Sequence, residues 1–98
     1  MPESAAIQKI KALGGEGVLT EQDVAELREA TQAVLVLMAD GQWHSAIDIR
    51  LAAGMGRREA SEGLRRLREL RKFFEVAKRR PAAGQREYEY RIEFRKQQ

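Results

Sequence analysis

The chain of 98 residues contains no cysteine, a single histidine and no long apolar run. Without cysteine it has no disulfide framework and no thiol nucleophile, and one histidine does not make a Cys/His zinc site. The longest apolar run, Ala33–Ala39, is far shorter than the roughly 20 residues that a membrane-spanning helix needs. We therefore expect a soluble, unexported protein of the cytoplasm.

The usual marks of an enzyme are also missing. The glycine cluster at residues 14–17 is not followed by Lys-Ser/Thr and comes after a predicted helix, so it does not predict a phosphate-binding loop. The acidic residues stand at predicted helix caps and on exposed faces, not in a pair around a pocket. We expect no catalytic residues, no metal and no cofactor.

The net charge of +3 conceals an asymmetry between the two parts of the chain. Residues 1–40 contain three basic and seven acidic residues, giving −4, whereas residues 41–98 contain fifteen against eight, giving +7. Within residues 57–80, ten Lys/Arg stand against four Glu, and such a one-sided field attracts phosphate backbones. Nucleic acid is therefore the first partner to test, and a merely solvated basic surface is the alternative.

The spacing of apolar residues predicts two helices in the acidic part. The first covers about Ser4–Leu13 and is too short to persist alone, so it packs on its own domain, packs against a second copy, or frays. The second begins at a cap on Thr20, where Asp23 completes a capping box, and runs to about Ala39.

Two further helices are predicted after Trp43, which we expect to lie in the core beside a short strand. Ser45 caps a helix over residues 46–53, and Gly54 permits the tight turn to a helix over residues 57–72. The residues that this last helix buries are expected to be Ala60, Leu64, Leu67 and Leu70.

The end of the chain changes to the alternation of a strand. The alternating apolar residues are Tyr88, Tyr90, Ile92 and Phe94. They predict a strand with one buried aromatic face, and Phe74 with Val76 predicts a partner strand joined to it by a basic hairpin loop at residues 78–86. We expect an α+β fold of three core helices and a small antiparallel sheet, with the N-terminal helix outside the core.

This order of elements resembles the winged helix-turn-helix family over about residues 21–94. The likeness is carried by DGQWHS at 40–45, GMGRR at 54–58, LRRL at 64–67 and the basic hairpin. The family usually has a small residue where Arg50 falls, so either the helices pack more loosely there or the register differs by one. In this family the third helix enters the major groove of duplex DNA, and the hairpin, or wing, contacts backbone or minor groove.

The resemblance implies roles for the charged residues of the third helix and the hairpin, since arginine pairs well with guanine O6 and N7. The expected base-reading residues are Arg58, Ser61, Glu62 and Arg65. The expected backbone contacts are Arg57, Arg66, Arg68, Lys72, Arg79, Arg80 and Arg86. Glu62 has an alternative role in an ion pair with Arg65 or Arg66.

The sequence thus predicts a DNA-binding protein, a transcriptional regulator of bacterial or phage type at the nucleoid. Its expected parts are an accessory helix and linker at 1–17, a winged-helix domain at 18–94 and a tail at 95–98. A homodimer through residues 4–38 would double the DNA contacts. The alternative function is a winged-helix protein-interaction module that recruits its partner through the acidic half, and double-stranded RNA is a third possible partner.

Overall fold

The computed structural model describes residues 3–54, 60–81, 83–84 and 87–94, except for the side chains of residues 60–62. Within these ranges the chain forms an α+β fold of five α-helices and one antiparallel sheet. The helices are α1 (Ala5–Ala12), α2 (Glu21–Glu26), α3 (Glu29–Met38), α4 (Ala46–Ala52) and α5 (Ala60–Glu69), followed by a 3-10 turn (Leu70–Lys72). The strands are β1 (His44–Ser45), β2 (Glu75–Arg79) and β3 (Glu89–Glu93). None of the described helices has the length and apolar character needed to span a membrane.

The first helix belongs to the core, so its expected place outside the core is wrong. The Ser4 hydroxyl caps α1 by accepting a hydrogen bond from the backbone N–H of Ile7. Ala6, Ile7 and Ile10 are buried in the same apolar cluster as residues of α3, α5 and β3. A helix of two turns persists only when it is packed against other elements, and α1 packs on its own domain.

The predicted start of the second helix is confirmed. The Thr20 hydroxyl accepts a hydrogen bond from the Asp23 backbone N–H at 3.1 Å, and the Asp23 carboxylate accepts one from the Thr20 N–H at 2.9 Å. This reciprocal pair satisfies two of the amides that a helix start leaves without partners.

The long helix predicted over residues 20–39 is wrong, because the chain breaks between α2 and α3. Leu27 and Arg28 are extended, with ψ angles of 148° and 150°. The Gln32 side chain donates hydrogen bonds to the carbonyls of Val24 and Leu27, both at 3.0 Å, and so satisfies acceptors that the break exposes. Val24 and Leu27 still pack on the core, which explains why the apolar pattern continues through the break.

The sheet has the order β1-β3-β2, with β3 in the centre. Cross-strand partners share a face, and the buried Ile92 identifies the face that covers the helices. The residues on this helix-facing side are His44, Val76, Lys78, Tyr90 and Ile92. The residues on the outer side are Ser45, Glu75, Ala77, Arg79, Glu89, Arg91 and Glu93.

The predicted hairpin is confirmed with two changes. β2 continues to Arg79, so the connection to β3 begins at Arg80 and not at Lys78. The predicted aromatic face is only partly buried, since Tyr88 precedes β3 and is 42% exposed. The sheet covers the core mainly through Ile92, with Tyr90 and Phe94 partly buried beside it.

Helices α4 and α5 cross at close range. Ser45 caps α4 as predicted, since its hydroxyl accepts a hydrogen bond from the Asp48 N–H at 3.1 Å. Gly54, which follows α4, has the positive φ of 75° that the predicted turn requires. The small residue that was expected at Arg50 stands instead on the opposing helix, where Gly63 lies against the Arg50 backbone. The overall layout is compatible with a winged helix.

Candidate nucleic-acid interface

The end of α5 and the 3-10 turn present four exposed cations. They are Arg65, Arg68, Arg71 and Lys72. Leu67 and Leu70, which lie between them in sequence, are buried in the core cluster. Helical geometry therefore separates a buried apolar side from a solvent-facing cationic side on this segment.

Arg66 lies on the other side of the helix, in contrast to its expected contact with phosphate. It follows Gly63 by three residues and so shares the side of α5 that faces neighbouring helices. The Arg66 side chain is 8% exposed, and its Nη1 lies 3.0 Å from Oε1 of Glu69. Glu69 also accepts a hydrogen bond from the buried hydroxyl of Thr31 on α3. Glu69 thus ties α5 to α3 and pairs with Arg66 on its own helix.

Trp43 lies on the outer side of the sheet, not in the core where it was expected. Its ring contacts two guanidinium groups, those of Arg79 at 4.4 Å and Arg91 at 4.6 Å from the ring centre. Each arginine also pairs with a carboxylate: Arg79 Nε lies 2.8 Å from Glu89 Oε1, and Arg91 Nη2 lies 2.7 Å from Glu93 Oε2. Arg79, one of the predicted backbone contacts, is therefore engaged within the sheet, although 49% of its side chain stays exposed, and Arg80 is exposed directly after β2.

Arg68, Arg71 and Lys78 come together at a pocket between the end of α5 and the sheet. Arg71 and Lys78 were not among the predicted contacts. The spacing of Arg71 three residues after Arg68 would have placed it on the same side of the helix. Lys78 follows Val76 by two residues. It would therefore have been predicted on the same side of the sheet as Val76 if the predicted strand had been continued past Ala77.

Part of the predicted site falls outside the described residues. This concerns Arg57, Arg58 and Arg86 entirely, and Ser61 and Glu62 with respect to their side chains. Of the predicted base-reading residues, Arg65 has a side chain that the structure describes. Of the predicted contacts with the DNA backbone, Arg68, Lys72 and Arg80 are described and exposed, whereas Arg66 and Arg79 are engaged elsewhere.

His44 is engaged with an acidic neighbour. Its Nε2 lies 2.9 Å from Oδ1 of Asp40. Burial raises the pKa of Asp40, but hydrogen bonds from the Gln42 N–H and from His44, together with the charges of His44 and Lys9, outweigh this and lower the pKa below its ordinary value. In the part of the chain that the structure describes, no group of three His, Asp or Glu side chains is arranged to hold a metal ion.

Comparison of the chain with protein-family models, curated protein sequences and solved structures gives no match.

Proposed function

We propose that this protein is a winged-helix protein that binds duplex DNA. The observation that carries the proposal is the concentration of exposed cations on one side of the end of α5 and the adjoining hairpin. We name this the cationic face, and its residues are Arg65, Arg68, Arg71, Lys72, Lys78 and Arg80.

Three acidic residues near the cationic face, Glu69, Glu89 and Glu93, support the proposal because they are engaged elsewhere. Glu69 accepts hydrogen bonds on the α3 side of α5. Glu89 and Glu93 pair with arginines on the outer side of the sheet. The negative charge of these three residues is thus held away from the surface that we assign to phosphate contact.

The position of α5 also suits the major groove. The crossing at Gly63 seats one side of α5 on α4, which leaves the opposite side pointing outward. A major groove admits one α-helix, and arginine on its exposed side reaches base edges. In this arrangement Arg65 contacts a base edge, and Arg68 and Lys72 contact phosphates. Arg80, in the hairpin, contacts the DNA backbone.

The acidic half of the chain, residues 1–40, determines which side of the domain faces the DNA. Residues 1–40 have a net charge of −4, and they form α1, α2 and α3. DNA approaching this side meets repulsion, whereas the side formed by α5 and the hairpin attracts it. The proposal therefore assigns a single DNA-facing side to the domain.

The test is a titration of a fluorescently labelled duplex of random sequence at low salt. We expect Arg68→Gln to weaken binding several-fold, because one phosphate contact is lost. Arg91→Gln is the matched control: it removes the same charge from the outer side of the sheet and should leave the affinity unchanged. If the unaltered protein has no measurable affinity for duplex DNA, the proposal is overturned. If RNA duplex competes more strongly than DNA duplex, double-stranded RNA is the partner instead.

A second candidate function is a protein-interaction module that uses the acidic half. Leu13 and Val36, both in this half, keep 43% and 39% of their surfaces exposed. A stoichiometric protein partner that survives nuclease treatment and is lost in Leu13→Ser, together with a flat DNA titration, would favour it. A homodimer through residues 4–38 would draw on these residues, since Ala6, Ile7 and Ile10 of α1 are buried in its own core.

A further inference from the structure

A small pocket opens between the end of α5 and the helix-facing side of the sheet. Its floor is apolar and consists of Leu64, Leu67, Val76 and Tyr90. Leu67 is buried, but the other three are only partly covered, so apolar surface remains accessible at the base of the pocket. The volume is about 120 Å³.

The rim of this pocket is wholly cationic. It consists of Arg68, Arg71 and Lys78, and none of the lining residues is acidic. The alternation of β2 explains this: Glu75 and Arg79 point to the outer side, while Val76 and Lys78 point to the pocket.

We propose that this pocket binds a small organic anion, a monocarboxylate with a single ring or a branched chain of similar size. An apolar cavity of about 150 Å³ holds a benzene ring, so a pocket of about 120 Å³ that is open on one side has room for most of such a ring. The ring packs on Leu64, Val76 and Tyr90.

The carboxylate of this ligand stays at the rim. Arginine is suited to it because its planar group donates two parallel hydrogen bonds to the two carboxylate oxygens. Arg68 and Arg71 stand one helical turn apart, and Lys78 adds a third positive charge from the sheet. An inorganic anion lacks the ring and a neutral aromatic lacks the charge, so the pocket selects the combination.

The test uses benzoate, with acetate and benzyl alcohol as probes of the charge and the ring taken separately. We expect benzoate to give saturable changes in the amide NMR signals of residues 64, 76, 78 and 90 in the full chain. Acetate and benzyl alcohol should each bind at least about tenfold more weakly than benzoate, since each lacks one of the two interactions. Equal responses to benzoate and acetate, or changes at other residues only, would overturn the proposal.

Two variants locate the site. Lys78→Gln should weaken benzoate binding by about tenfold, the effect expected when one hydrogen bond to a charged group is lost. Lys72→Gln, which removes the same charge from a residue outside the pocket, should leave it unchanged. Leu64→Phe should block the pocket, and Lys78→Gln keeps the proposal testable if Leu64→Phe disturbs the fold. Equal weakening by Lys78→Gln and Lys72→Gln would show a general charge effect and overturn the assignment.

Binding at this pocket does not depend on DNA, so the benzoate titration is performed without it. If the proposed function also holds, bound carboxylate neutralises Arg68 and weakens the DNA complex. If benzoate does not bind but DNA binding is normal, the proposed ligand site is overturned and the proposed function stands. Benzoate binding beside a flat DNA titration removes only the proposed function.

Discussion

Gly63 on α5 lies so close to Arg50 on α4 that a Cβ built on the glycine would stand 2.6 Å from the Arg50 Cα and 2.9 Å from its backbone nitrogen. Backbone atoms cannot turn aside as a side chain can, so the crossing of the two helices leaves no room for a side chain at residue 63. The crossing determines which side of α5 is buried. It therefore also determines that Arg66 turns inward while Arg65 and Arg68 turn outward.

We expect Gly63→Ala to destabilise the protein. In an unconstrained helix interior this replacement stabilises by up to about 1 kcal/mol, because alanine is the better helix former. Here the added methyl must push α4 and α5 apart, and overpacking of this kind costs about 1–3 kcal/mol. Urea unfolding followed by circular dichroism measures the net effect. A Gly63→Ala protein that is more stable than the original would show that the crossing is not tight.

The contacts of Glu69 lead to a second prediction. Glu69→Ala leaves the buried Arg66 without one of its charge partners and the Thr31 hydroxyl without its acceptor. We expect a loss of about 2–3 kcal/mol in the free energy of unfolding, somewhat below the cost of breaking a fully buried pair because Glu69 is partly exposed. The matched control is Glu93→Ala, whose exposed pair with Arg91 should contribute less than about 1 kcal/mol. Equal losses in the two variants would contradict the role of Glu69 in joining α5 to α3.

The stacking of arginine on Trp43 can be measured by a double-mutant cycle. The variants Trp43→Leu, Arg91→Met and the double replacement isolate the contact of the two side chains. We expect a coupling energy of about 0.5–1 kcal/mol, the range for a cation over an aromatic ring at an exposed site. Trp43 is the only tryptophan, so its emission should also change in Arg91→Met. Coupling indistinguishable from zero would mean that the two groups do not interact in solution.

The lowered pKa of Asp40 predicts a pH dependence of stability. A carboxyl group whose pKa is lower in the folded protein contributes stability that is present above the unfolded pKa and is lost as the pH falls through the folded pKa. With an ordinary value of 3.8, the contribution should be present at neutral pH and decline below about pH 4. Asp40→Asn removes the titrating group, so the difference in stability between the two proteins should shrink on acidification. A constant or growing difference down to pH 3 would contradict the lowered pKa.

The local features of the fold were predictable from sequence because their causes are local. Capping at Thr20 and Ser45 uses residues three positions apart. The strand alternation around Ile92 follows from the backbone geometry alone. The positive φ at Gly54 likewise follows from the demands of a tight turn.

Other features depend on contacts that a linear pattern does not contain. The break at Leu27 and Arg28 is stabilised by the amide of Gln32, which reaches back over the gap. Trp43 lies on the outer side of the sheet, where Arg79 of β2 and Arg91 of β3 stack on its ring, and these partners are far from it in sequence. In the candidate site the helix stripe predicted Arg65, Arg68 and Lys72 as exposed, whereas the convergence of Arg71 with Lys78 requires the strand register.

The salt dependence of DNA binding tests the central claim most directly. The logarithm of the binding constant falls linearly with the logarithm of salt concentration, with a slope of about −0.9 for each phosphate neutralised. Removing two contacts in Arg68→Gln/Lys72→Gln should therefore reduce the steepness of the slope by about 2. The control Arg91→Gln should keep the original slope. An unchanged slope in the double variant, or the same reduction in Arg91→Gln, would contradict DNA binding through the cationic face.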